Sequence, residues 1–255
     1  MSVLAALPSH RTAVGIWVKL PAVESVELMA EAGLDLVVID LEHSALSIET
    51  ASVLTAVALG RGLLPLVRVP DHSPSWIQRC LDFGALGVVV PHVDSVEQAR
   101  AVQRASRFEP LGRRGVGPTS RAGGWMLRPV ADYLASDSAV AVVVQIESMA
   151  GIQSVDAILG ERAADAILLG AADLSASLGV ALDDPQVTDL MIEVLGKCIA
   201  SDMPCAIAIG ADGTRAAELG RRGFRVVIAG NDATMLGTAA RAVRSAVSDS
   251  EAANA

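Results

Sequence analysis

Residues 34–43 read LDLVVIDLEH, a near-continuous apolar run closed by Asp40, Glu42 and His43. A run of this kind, rather than an alternating one, marks a strand covered on both faces, as in a parallel α/β sheet. Charged side chains are seldom buried without partners, so the chain must leave the core at Asp40. In parallel sheets that exit is the carboxyl end of a strand, where such folds carry their chemistry. Capping of the next helix by Asp40 or Glu42 is the alternative reading.

The same event recurs along the chain. Strands are expected at 13–18, 34–39, 63–69, 86–90, 140–146, 166–169, 205–209 and 225–229. Helical patterns fall between and after them, near 22–33, 47–60, 73–83, 95–106, 148–160, 184–202, 212–222 and 231–247. Alternation implies parallel βαβ units, and a count of eight favours a closed (β/α)8 TIM-type barrel over an open doubly wound sheet. The segments AGLDLVVID, FGALGVVVP, AADAILLG and RGFRVVIAG repeat one local plan on the even-numbered strands, a small turn followed by a buried strand.

With 255 residues, 52% hydrophobic and 19% charged, the chain suits one large domain, expected over 1–247 with a flexible tail at 248–255. A net charge of −9 argues against nucleic acid and anionic membranes as partners, though a local arginine can still hold a small anion. The N-terminal MSVLAALPSHR lacks the charged start of a secretory signal, and no apolar run reaches the roughly 20 residues of a membrane span. Cys80, Cys198 and Cys205 read as reduced core thiols of a cytoplasmic protein. The connection RFEPLGRRGVGPTSRAGGWMLR, 107–128, is long enough to be functional, lying over its own barrel or reaching a neighbour.

Successive strand ends deliver Trp17 and Lys19; Asp40, Glu42 and His43; Arg68; Pro91 and His92; Gln145 and Glu147; and Asp173. A barrel gathers these on one ring. Glu147 and Asp173 come from neighbouring strands, about 4.8 Å apart, so their oxygens can share a hard cation such as Mg²⁺ or Mn²⁺. Each could instead serve a helix start or turn. Gln145 either holds a metal water or a carboxylate, or packs. Arg68 closes an otherwise buried strand and needs an anion, either substrate or the Asp40/Glu42 pair. His43 has the imidazole suited to acid/base work beside the acidic cluster, whereas His92 reads as a packing residue. Only two lysines exist, Lys19 and Lys197; Lys19 remains open as a Schiff-base candidate, though the paired carboxylates favour metal.

These residues resemble the HpcH/HpaI class II aldolases of the phosphoenolpyruvate/pyruvate barrel superfamily, from about Gly15 to Arg241. The markers are GIWVKLPAVESVELMAEAGLDLVVIDLEH, LVRVP, CLDFGALGVVVPHVDSVEQA, RRGVGPTSRAGGW, VQIES and GAADLSASLG, in that order. The resemblance implies reversible, metal-dependent cleavage of a 4-hydroxy-2-oxo acid to pyruvate, or a related 2-oxo acid, and an aldehyde. It implies Glu147 and Asp173 as ligands of Mg²⁺, Mn²⁺ or Co²⁺, His43 as acid/base and Arg68 as enolate stabiliser. Asp40 and Glu42 support them, Trp17 lines the pyruvate pocket with Gln145, and backbone N–H groups near Ala172 and Asp173 hold the substrate carboxylate. Asp82 matches an acid donated by an adjacent subunit, in a homo-oligomer assembled as a hexamer from two trimers. Ala171 stands where such proteins often carry proline, a departure that bears on substrate more than on reaction type. A CoA-ester lyase of the citrate-lyase β-subunit type, with Arg113, Arg114, Arg121 and Arg128 as its CoA surface, is the second reading. A 2-oxo-acid-binding barrel without turnover is the third.

Overall fold

A computed structural model describes residues 2–8 and 10–253. After a short 3-10 turn, Val3–Ala6, the chain alternates strand and helix: β1 (Ala13–Val18), α1 (Val23–Glu31), β2 (Leu36–Asp40), α2 (Ile48–Gly60), β3 (Leu64–Arg68) and α3 (Pro74–Asp82). It continues through β4 (Gly87–Val90), α4 (Val96–Ser106), α5 (Val130–Ala135), β5 (Ala141–Ile146), α6 (Met149–Gly160), β6 (Ala166–Gly170) and α7 (Ala171–Leu178). The last elements are α8 (Pro185–Ala200), β7 (Cys205–Ile209), α9 (Gly213–Arg222), β8 (Val226–Asn231) and α10 (Asp232–Ala253). All eight strands pair in parallel, in sequence order, and β8 closes on β1. The expected (β/α)8 barrel is therefore the observed fold.

Side chains of each strand alternate between two apolar layers. Leu36 and Val38 of β2, Leu66 of β3, Val143 of β5 and Leu168 of β6 fill the barrel interior. Val37, Ile39, Val67, Val142, Val144, Ile167 and Leu169 point outward, under the helices. Because both faces are dry, the strands read as unbroken apolar runs. Continued by one step, the alternation turns Asp40, Arg68, Gln145 and Gly170 inward at the carboxyl ends. At the opposite end Leu4 and Leu7 of the N-terminal turn join the interior layer and stop the floor.

Several expectations need adjustment. Helix α7 begins directly at the end of β6, where a short turn had been one reading. Helix α10 carries helical backbone through 248–253, the residues expected as a tail, while Asn254 and Ala255 lie outside the described residues. The connection after α4 is tied to the outside of the barrel. Arg121 donates to the carbonyls of Ser52 and Phe83, and buried Arg114 donates to Asp82. Cys80, Cys198 and Cys205 are buried free thiols, and burial pushes the Cys80 thiol up to about 12. Among the described residues no helix is long and apolar enough to cross a membrane.

Leu168 sits in the interior layer directly below the inward polar positions. Leu168→Ala should cost about 2–5 kcal/mol through the void it leaves. The check is a urea midpoint that falls with an unchanged denaturant slope. A shift well under 1 kcal/mol would mean that the layer collapses around the gap.

Candidate active site at the carboxyl ends of the strands

Asp40 and Arg68 are cross-strand partners in the β2–β3 register. Arg68 Nε donates to Asp40 Oδ1 at 2.8 Å and Nη2 to Oδ2 at 2.7 Å, a bidentate fork. The third face of the guanidinium, Nη1, lies 2.9 Å from Glu42 Oε2. Its carbon stands 4.1 Å from the centroid of the Trp17 ring, a cation–π contact that backs the arginine from β1. Lys19 Nζ donates to Asp40 Oδ2 and, at 2.9 Å, to the His43 carbonyl. Asp40 Oδ1 also accepts from the backbone N–H groups of Glu42 and His43, which shapes the loop carrying His43. Burial pushes the Asp40 carboxyl upward, but the hydrogen bonds and charges of Arg68 and Lys19 outweigh it and hold it at about 2.

A second group forms where β5 and β6 end. Ser148 caps α6 by accepting from Gly151 N–H, so the chain turns immediately after Glu147 and leaves that carboxylate inside. Glu147 packs against Gly170 so closely that a Cβ there would come within 2.7 Å of Oε2. Only glycine fits. Gln145 Nε2 donates to Oε2, while Oε1 accepts from His92 N–H at 2.8 Å and lies 3.0 Å from His92 Nδ1. Burial pushes the Glu147 carboxyl above the usual range, and the charge of Asp173, in the first turn of α7, adds to that shift. The buried Oε1 of Gln145 has no hydrogen-bond partner.

A cavity of about 610 Å³ opens over these groups. Trp17, Lys19, His43, Arg68, Gln145 and the turn from Gly170 through Ala172 to Asp173 line one side. The other side is largely apolar, with Leu182, Met191, Ile192, Ile207 and Ile209 from α8, β7 and the loop before α8, and it also carries Arg215 and Asn231. Asp40, Glu42 and Glu147 support the lining from behind. His43 stands at the mouth with its side chain 58% exposed, and its Nε2 is 3.7 Å from Glu42 Oε2, too long for a hydrogen bond.

Two sequence readings change. Lys19 is spent on a carboxylate and a carbonyl, unlike the desolvated, unpartnered lysine that Schiff-base chemistry requires. His92, read as packing, bridges Glu42 and Glu147; the polar residue following VVVP at a strand end was the available signal. Asp82 is not brought to this cavity. It ends α3 and is held by Arg114 at 2.7 Å and by the Tyr133 hydroxyl at 3.2 Å. Among the described residues no group of three or more His, Cys, Asp or Glu side chains stands at metal-ligand spacing. The all-oxygen set of Glu147, Asp173 and the unpartnered Gln145 Oε1 nevertheless fits a hard, water-keeping cation.

Comparison with known proteins agrees with this architecture. Residues 13–249 match the family model described as HpcH/HpaI aldolase/citrate lyase. The 5-keto-4-deoxy-D-glucarate aldolase of Salmonella paratyphi A is 34% identical over 221 residues, covering 85% of this chain and 86% of that protein. The crystal structure of an HpcH/HpaI aldolase/citrate lyase family protein from Burkholderia cenocepacia superposes with a TM-score of 0.86 at 30% identity, covering 94% of this chain and 95% of the other. That of the citrate synthase SbnG superposes with a TM-score of 0.84 at 29% identity, covering 98% and 97%. The chain belongs to the HpcH/HpaI aldolase/citrate lyase family, and it is a carbon–carbon lyase.

The depressed Asp40 carboxyl carries a pH signature. Its contribution to stability is fully present above the ordinary aspartate value near 4 and is lost as pH falls through about 2. Asp40→Asn should cost about 3–5 kcal/mol near neutral pH, because Arg68 is left buried with Glu42 alone. The gap from wild type should narrow by about 2 kcal/mol between about pH 4 and pH 2. Urea unfolding across that range measures it; parallel curves would assign the lowered carboxyl to another residue.

Proposed function

We propose that the protein is a metal-dependent, class II aldolase that cleaves a 4-hydroxy-2-oxo acid to pyruvate, or a related 2-oxo acid, and an aldehyde. The observation that carries this reading is a buried carboxylate, Glu147, within the field of Asp173 and behind a cavity lined by Asp173, Gln145 and Arg68. Glu147 and Asp173 would hold Mg²⁺, Mn²⁺ or Co²⁺, with Gln145 Oε1 free to take one of its waters. When bound, such an ion supplies a Lewis acid for the 2-oxo group.

The chain's own residues account for the remaining demands. Backbone N–H groups at Ala172 and Asp173, in the first turn of α7, suit the substrate carboxylate. Trp17 forms the wall behind it. Removing the proton of the 4-hydroxyl lets the C3–C4 bond break, sending its electron pair toward C2 and releasing the aldehyde. Arg68, locked by Asp40 and Glu42, presents a fixed positive charge where the enolate oxygen develops, so no reorganisation is needed during the reaction. His43, at the mouth and not yet bonded to an acid, is placed to take the hydroxyl proton directly or through a water. The apolar wall of α8 and β7 faces the side where the aldehyde portion would lie.

The CoA-ester lyase reading loses one cation to a carboxylate, and two more are tied to backbone carbonyls. Arg114 is bound to Asp82, Arg121 to two carbonyls and Arg128 to the Ala122 carbonyl, which leaves Arg113 from the set of four.

A second copy of the chain completes the proposal. Leu236, Val243 and Val247 of α10 are exposed, as are Trp125, Met126 and Leu127 of the connection after α4. These apolar surfaces support a homo-oligomer, a hexamer of two trimers, in which Asp82 of one chain approaches His43 of another.

Two measurements test this reading. Chelation should abolish pyruvate release from hydroxy-oxo acids, and Mg²⁺, Mn²⁺ or Co²⁺ should restore it; full activity after chelation would overturn the metal assignment. Mixing inactive His43→Ala with inactive Asp82→Ala chains should restore part of the activity after subunit exchange, because a mixed interface pairs intact partners. An active monomer by light scattering, or no rescue once exchange is verified, would remove the shared site.

A further inference from the structure

His92 leaves β4 with φ of +53°, a left-handed backbone that residues other than glycine adopt seldom and that histidine tolerates better than most. Such a conformation persists only where its surroundings hold it. Here it aims both the backbone N–H and the ring at carboxylates. The N–H and Nδ1 converge on Glu147 Oε1 at 2.8 Å and 3.0 Å, and Nε2 lies 3.1 Å from Glu42 Oε1. The far oxygen of Glu42 faces Arg68 Nη1 at 2.9 Å, and the far oxygen of Glu147 accepts from Gln145. The imidazole thus spans two largely buried carboxylates that enter from different strand ends. Take the ring away and its contacts with both carboxylates are lost, leaving the backbone N–H on Glu147 alone.

We propose that His92 is a positioning residue that fixes the carboxylate of Glu147 before it receives a metal ion and couples it through Glu42 to Arg68. The inference rests on the metal-dependent reading above and extends it to a residue outside the cavity lining. Glu147 Oε1 accepts from the His92 N–H and lies 3.0 Å from the ring's Nδ1, so the carboxylate plane is set in advance rather than ordered on binding. Groups that orient a metal ligand in this way typically contribute 10–100-fold in affinity or activity. The bridge also transmits position: a shift of Glu147 moves Glu42, and with it the guanidinium at which charge develops.

A residue that merely fills space would give a different mutational pattern. His92→Leu keeps bulk without a donor; His92→Gln keeps a donor of similar reach; the backbone N–H remains in both. Mn²⁺ titration of metal-stripped protein, followed by electron paramagnetic resonance, reads affinity without turnover. His92→Leu should weaken Mn²⁺ binding by about 10–100-fold, His92→Gln should recover part of the loss, and kcat/KM should follow in the same order. If His92→Leu fails to fold, His92→Asn tolerates the left-handed backbone, is too short to bridge, and should show the same loss. Wild-type affinity in the Leu or Asn variant overturns the proposal while the metal reading stands. A wild-type protein that binds no Mn²⁺ overturns both.

Discussion

Everything at the mouth of this barrel is arranged around the cost of burying Arg68. A guanidinium at 6% exposure needs partners on every face, and the structure supplies Asp40 in a fork, the charge of Glu42 beside the third nitrogen and Trp17 beneath. Asp40 in turn draws in Lys19 and the amides of Glu42 and His43, so the β2 loop takes its shape from the arginine on β3. Glu42 then reaches His92, and His92 reaches Glu147. The groups form one electrostatic chain running around half the ring. Removing any link leaves a charge uncompensated on both sides of it.

Glu147 is the counterweight. Asp40 is held ionised by two cations, whereas burial and a nearby carboxylate push Glu147 the other way. Two acids of the same ring are thus shifted in opposite directions, one by neighbouring cations and the other by burial and a neighbouring carboxylate. A folded chain tolerates such a site when function requires it, and a bound cation relieves it. Gly170 shows how tightly this is built, since any side chain there would displace the carboxylate.

Much of the barrel was legible because fully buried parallel strands leave an unbroken apolar signature, and most of the first six runs ended in or near a charged or polar residue. Asp40, Arg68, Gln145 and Asp173 stood out for that reason, and all four bear on one cavity. The alternation between interior and helix layer was invisible, since Val37 and Val38 are equally apolar while facing opposite ways. Helix α7 was legible only as a helix start near Ala172 and Asp173, because it begins at Ala171 with no turn after β6 to announce it. His92 reads differently from sequence since its meaning lies in partners 50 and 55 residues away, Glu42 and Glu147, and no local pattern encodes them. Arg68 had two readings, structural pair or anion site. Its forked pairing with Asp40 and its place in the cavity wall satisfy both.

The packed interior layer has a kinetic meaning. Leu36, Val38, Leu66, Val143 and Leu168 close the cavity from the barrel side, so it behaves as a blind well. Under the proposed reaction the 2-oxo acid lies deepest, against Arg68 and the start of α7, with the aldehyde above it nearer the rim. Departure from a blind well follows the reverse of stacking. The aldehyde leaves first and the 2-oxo acid last, so in the condensing direction the oxo acid must enter before its partner. The order of substrate addition is then written into the architecture, by the apolar layer on which the cavity rests.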